Sequence, residues 1–370
     1  MKKRFVVFVL SLAIAMLALG FVACDDSPID PDNLPSSITI YVPDGPPLIA
    51  LASIYQNTPS VQGVNINIER TTGALIGGHM VAQRPDIALV PMNLAANRFN
   101  DDGEYVLAGV ALWGLLHIVE NIQEADGNVA SSLNDLVGQT IVAYQRNMSP
   151  GIVLETVLRE NGLAVNWLLS ESAAINPDAV NIIALADNAA ANAALGGQNA
   201  SLPNTRFALL AEPVASIRES QANFRRAFDL NEEWAAVFDD EDFDARIPQV
   251  GVVVRASLAR YHPAFVSDVM DLIAGSIDFV REYPDKAADL ILNELSSIYI
   301  PNNLAVVTSF LSSTGQAVYE FVHADEAQST VLHFLNILYQ TNPSFVGGSV
   351  PTNDFFMPRR NTRPPSPPNC

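Results

Sequence analysis

Residues able to do covalent or metal chemistry are few in this chain and poorly spaced for it. The five histidines (His79, His117, His262, His323, His333) stand apart, with no pair at the i, i+4 spacing of a metal-binding helix face. There is no G-x-S-x-G nucleophile elbow and no phosphate-cradling glycine loop. Gly77-Gly78 and Gly347-Gly348 are lone pairs, and Cys370 ends a proline-rich tail with no base near it in sequence. Binding chemistry remains. Glu212 follows the apolar run Ala208-Leu209-Leu210 and precedes Pro213, inside RFALLAEPVAS. A carboxylate at a strand end beside proline has little structural use, so Glu212 reads as a ligand contact or as a solvated loop acid. Asn93 holds a similar place in PDIALVPMNLAANRF, from Pro85 to Phe99. There Ile87 to Val90 is a buried strand, Pro91 ends it, and Asn93 caps the next helix, faces a ligand, or does both.

Such turns expose backbone N–H groups at the carboxyl end of a sheet, where ligands of open α/β sheets sit. Two of them far apart in sequence imply two similar units facing one cleft. The elements between agree. Strands are expected at Ile38–Val42, Val64–Ile68 and Thr140–Tyr144, at Val180–Ala184 and Val250–Val254, and as two pieces around the Trp113-Gly114 joint. Helices are expected at Leu48–Tyr55, after Thr72, from Leu94, from Ser149 to Gly162 and at Asn188–Leu195. Beyond Val254 helices dominate, at Ala264–Glu282, Pro284–Leu295, Leu304–Ser312 and Asp325–Tyr339. This alternation predicts an α/β fold of two lobes, each a mostly parallel sheet flanked by helices.

The N-terminus has a basic start (Lys2-Lys3-Arg4), an apolar stretch from Phe5 to Leu19, and Phe21-Val22-Ala23 directly before Cys24. That pattern looks like a lipobox, where a diacylglyceride is attached to the cysteine before cleavage; a plain secretory signal is the alternative, and the apolar stretch is short for a membrane span. Residues 1–23 are then a leader, 24–37 a polar proline-rich tether and 358–370 a disordered tail. With Cys24 lipidated, Cys370 is left without an intramolecular partner.

Net charge is −20, and loss of the leader's Lys2, Lys3 and Arg4 takes it to −23. So acidic a chain does not bind nucleic acid non-specifically. Lys286 is the sole lysine after the leader. An acidic, lysine-poor surface fits concentrated salt, where screening removes self-repulsion, or it is compositional drift. The run from Asp239 to Asp244 reads as solvated surface.

Taken in order, ITIYVPDGPPLIALA, PDIALVPMNLAANRF, VALWGLLHIVE, SLNDLVGQTIVAYQRNMSPGIVLE, LLAEPVA, PQVGVVV and FLNILYQTNPSFVGGSVPTNDFF resemble the substrate-binding lipoproteins of bacterial ABC importers. The similarity is to the nitrate/sulfonate/taurine and thiamine-precursor branch, built as two-lobed type II periplasmic binding proteins, and spans roughly Ser37 to Met357. The chain departs from that pattern in its inserted-looking NASLPNTRF and in Leu115-Leu116-His117, where a tyrosine is more usual. The resemblance implies lobe 1 at 38–120 plus 250–357 and lobe 2 at 121–249. It implies no cofactor, no metal and no catalysis, and a monomer lipid-anchored outside the cytoplasm that hands a small solute to an ABC permease and its ATPase. In a host with two membranes, Asp25 after the lipidated cysteine resembles an inner-membrane retention signal.

The resemblance also implies that loops after the strands touch the ligand. Carried over residue by residue, lobe 1 offers Asp44, Gly45, Thr71, Thr72, Met92, Asn93 and Trp113. Lobe 2 offers Asn147, Ser149, Asn188 and Glu212, with Asp187 and Pro213 beside them. Each has a plainer reading: Thr72, Asn93, Ser149 and Asp187 as helix caps, Trp113 as core, Asp44 as a turn stabiliser. Helix N-termini favour an anionic ligand, whereas Glu212 and Asp44 favour N–H or cationic groups. A zwitterion or an aminated heterocycle satisfies both. Glu212→Ala and Asn93→Ala are expected to abolish binding. A sensing surface lipoprotein without transport, and an enzyme of thiamine-pyrimidine synthesis, are the rival functions.

Overall fold

The computed structural model describes residues 29–55, 59–170, 173–202, 204–238, 245–295, 300 and 302–358. The leader, Cys24, the Asp239–Asp244 run and the tail beyond Pro358 lie outside the described residues. The first strands are β1 (Ser37–Pro43), β2 (Ser60–Val61), β3 (Val64–Thr71), β4 (Ile87–Pro91) and β5 (Tyr105–Trp113). Next come β6 (Leu116–Asn121), β7 (Thr140–Tyr144), β8 (Val165–Leu168), β9 (Val180–Leu185), β10 (Phe207–Ala211) and β11 (Phe224–Asp229). Last are β12 (Pro248–Arg255) and β13 (Tyr319–His323).

They form two sheets, in the orders β13-β5-β12-β4-β1-β3-β2 and β11-β6-β10-β7-β9-β8. In the first, β3, β1 and β4 are parallel, while β12 runs antiparallel to both β4 and β5. In the second, β10, β7, β9 and β8 are parallel, with β6 and β11 continuing as antiparallel pairs. Strands β4 and β10 are buried along their apolar runs without alternation, as strands covered on both faces must be.

The chain changes sheet at Gly114 and returns at Ile247, and the two crossings are hydrogen-bonded side by side, Gly114 N–H to Ile247 C=O at 3.0 Å. Asn231 fastens the pair by accepting from the Ile247 N–H at 2.9 Å. Gly114 has φ +34°, and a Cβ there would come within 2.3 Å of the Asn231 side chain, so glycine is required at the crossing. The boundary expected at residue 120 is thereby corrected: β6 already pairs with β10 in the second sheet.

On another face the Gln328–Thr341 helix meets the second unit, Trp234 packing on Phe334 with ring centroids 5.2 Å apart. Such aromatic pairs contribute about 0.5–1.5 kcal/mol beyond area burial. One continuous apolar cluster runs through both sheets.

Four further expectations are corrected. Leu48–Tyr55 splits into short helices at Pro46–Ile49 and Ala52–Tyr55. Strand β13 interrupts the helical C-terminal third, and β8 and β11 were not expected. The tether is folded from residue 29, where Ile29 and Leu34 pack on the core and Asp30 C=O lies 2.7 Å from His262 Nε2. No described helix is long and apolar enough to cross a membrane.

Candidate functional site

The carboxyl ends of β1, β4, β7 and β10 converge on a cavity of about 130 Å³ between the two sheets. From the first sheet its wall takes Pro43, Asp44 and Pro46 after β1, Val90 and Pro91 at the end of β4, and Gln249 of β12. The second sheet supplies Tyr144 and Gln145 after β7, Ser149, Asp187 and Asn188 at two helix starts, and Ala211 ending β10. This is where a doubly wound α/β sheet binds ligands, because each strand-to-helix turn delivers backbone and short polar side chains there. A larger hollow of about 370 Å³ opens beside Gly138, Thr140 and Thr205. It lies where β7 begins, on one sheet only, so it has neither helix N-termini nor a second wall to close on it.

Four of the expected residues line the cavity: Asp44, Ser149, Asp187 and Asn188. Asp44 also holds its own turn, accepting from Gly45 N–H at 2.8 Å and pairing with Arg70 at 2.8 Å. Gly45, in the left-handed region at φ 102°, lets the turn close. Asn188 accepts from Ala211 N–H at 3.1 Å, and Asp187 caps its helix by accepting from Ala190 N–H at 2.9 Å.

Asn93 is no cap. It lies inside the Met92–Asp102 helix, whose N-cap is Pro91. Its side chain accepts from Ser149 Oγ at 3.0 Å, a buried bond between the two units at the mouth of the cavity. Ser149 likewise sits in the first turn of the Ser149–Glu160 helix, after the N-cap Met148. Along the Met92–Asp102 helix, Asn97 and Asn100 continue the polar stripe and donate to Phe345 C=O and Val346 C=O, pinning the C-terminal segment.

The remaining candidates do not line the cavity. Met92 is core, against Gly251. Thr71 is buried under the Asp44 turn, its Oγ1 without a partner. Thr72 and Asn147 are exposed, and Thr72 is not a cap, since the following helix starts at Ile76 with Leu75 before it. Trp113 donates from Nε1 to Glu320 C=O at 2.9 Å and is covered by Arg246, whose guanidinium lies 4.3 Å from the ring centre. Covered in this way, it has no face to offer a ligand.

Glu212 is the largest correction. It is fully buried, with Arg226 Nη2 and His117 Nε2 at 2.7 and 3.1 Å from Oε1, and the Ser216 N–H 3.1 Å from Oε2. Asp229 lies 3.4 Å from the other His117 nitrogen. Burial pushes the Glu212 carboxyl up, but hydrogen bonding and charge from His117, the Arg226 charge and the Ser216 bond outweigh it and hold it below its ordinary value. Thus Glu212 ties β6, β10 and β11 together, behind the wall that Ala211 presents.

Sequence reading missed Gln249. It is 4% exposed, lines the cavity, and its Oε1 is buried without a hydrogen-bond partner. The available signal was a glutamine inside the apolar run PQVGVVV. Tyr144 was also missed; burial, then the nearby Asp187 carboxylate, push its phenol far above the ordinary range, so it stays protonated. Among the described residues no group of three or more His, Cys, Asp or Glu is arranged to hold a metal ion.

No model of a known protein family matches the sequence. No curated protein matches it either. Solved structures do. An ABC transporter protein from Parabacteroides distasonis is 21% identical, with a TM-score of 0.65 over 87% of this chain and 99% of that one. The periplasmic aliphatic sulphonate binding protein SsuA from Escherichia coli is 15% identical, with a TM-score of 0.61 over 85% of this chain and 91% of its own. The alkanesulfonate-binding protein SsuA from Xanthomonas axonopodis, bound to MOPS, is 12% identical, with a TM-score of 0.56 over 88% and 97%. The two-lobed fold of periplasmic solute-binding proteins is therefore the fold of this chain.

Proposed function

We propose that this chain is an extracytoplasmic solute-binding lipoprotein of an ABC importer, anchored through Cys24, which captures a small polar organic solute and delivers it to the permease and ATPase. The observation that carries the reading is the cavity at the carboxyl ends of strands from both sheets, with two side-by-side crossings at Gly114 and Ile247 about which the units can close. The Ser149–Asn93 bond is a contact that closure makes and opening breaks. The solved structures of the same fold named above are an ABC transporter protein and two sulfonate-binding proteins, which favours binding and delivery over catalysis.

A thermal-shift screen of amino acids, pyrimidines, sulfonates and small anions against the full chain tests this reading. A saturable rise in the melting midpoint with one class is expected. No rise with any class would sink it. A sensing lipoprotein would share the cavity, and solute uptake in cells lacking this chain separates the two: uptake is lost only if it transports.

A further inference from the structure

The cavity's chemistry differs from what a sulfonate needs. Among the described residues no lysine, arginine or histidine lines it, whereas Asp187 does, as does Asp44, whose carboxylate is already paired with Arg70. Some of the donors that helix starts bring to it are used within the protein. Asp187 already occupies the N-terminus of the Asn188–Leu195 helix through Ala190 N–H. Ser149 Oγ is committed to Asn93, and Pro150 in the first turn of that helix has no N–H to give. Pro91, before the Met92–Asp102 helix, has none either.

Among the fully buried side-chain atoms of the wall, the one without a partner is an acceptor, Gln249 Oε1. A buried acceptor without a donor is costly and rare, and one on a cavity wall is satisfied when a bound molecule donates to it. The rest of the wall is mostly apolar (Pro46, Pro47, Leu89, Val90, Leu115, Val250), which suits an apolar body. The protonated Tyr144 phenol beside Asp187 adds no positive charge.

Building on the reading of the cavity as a solute site, we infer that its solute is a small organic cation of the alkylammonium or amidinium class, whose N–H groups meet Gln249 Oε1 and the Asp187 carboxylate. Sulfonates and other anions are disfavoured, because they would meet the Asp187 carboxylate and the Gln249 carbonyl with no cationic side chain among the lining residues.

Matched probes of like shape and opposite charge test this on the full chain by calorimetric titration: benzamidinium against benzenesulfonate, and butylammonium against butanesulfonate. The cations are expected to bind and the anions not. Asp187→Asn removes the charge while an asparagine still caps the helix, and should weaken cation binding by about tenfold. Gln249→Leu should weaken it as well, and Gln249→Glu should strengthen it. Anions binding ahead of cations would overturn the proposal and leave the solute-binding reading intact, as would cation affinity unmoved by Asp187→Asn. Binding by neither class would overturn both.

Discussion

At the scale of single residues, Glu212 carries structural weight rather than ligand. Breaking a buried ion pair on one side leaves an uncompensated charge, so Glu212→Gln should cost about 3–5 kcal/mol in urea unfolding. A solute-induced midpoint rise should survive in whatever fraction stays folded. Its lowered folded pKa also sets an acid limb. The stability it contributes is fully present above the ordinary value of 4.5 and is lost as pH falls through the lower folded value. Urea unfolding from pH 6 downward should therefore lose stability below about pH 4.5, and Glu212→Gln should flatten that limb. The Ser149–Asn93 bond is worth about 1 kcal/mol, the usual net value of a hydrogen bond. A double-mutant cycle with Ser149→Ala and Asn93→Ala should return a coupling of that size in the closed, solute-bound protein. Glu212 stood out in the sequence as an odd carboxylate beside proline. Its role was hidden because the partners, His117 and Arg226, reach it only through antiparallel pairing of β6 with β10 and β11. No spacing along the chain encodes that pairing.

At the scale of elements, legibility followed local chemistry. Strands with unbroken apolar runs, such as β4, β7 and β12, and helices with clear starts, such as Ser149-Pro150 and Asp187, were readable near their true ends. Strands β8, β11 and β13 were not. Their burial is partial along most of their length, so no apolar run announces them, and neighbouring strands decide their conformation. The Trp113-Gly114 joint was readable as a break between strands, and it proves to be a crossing between sheets. Gly114→Ala should push Asn231 off the Ile247 N–H and strain a left-handed residue. A loss of about 1–3 kcal/mol in urea unfolding is expected, larger than for alanine at the exposed, unhindered Gly78.

At the scale of the molecule, a charge of −20 makes the compact state repel itself. Raising NaCl from 0.1 M to 1 M shortens the screening length from about 10 Å to about 3 Å. The melting midpoint should rise across that range, and a flat profile would leave the acidic composition without a stabilising condition. The two-lobed plan was legible because the motifs recur in order. The cavity's composition was not, since Gln249 and Tyr144 come to one wall only when the sheets face each other. The central claim is that solute is held between the sheets rather than in the larger hollow near Thr140. Gly73→Phe fills the cleft, because the new side chain would point toward the movable end of Gln145. Ser201→Phe fills the hollow. With any solute that raises the melting midpoint of the unsubstituted chain, the rise should vanish in Gly73→Phe and persist in Ser201→Phe; the reverse result would contradict the account.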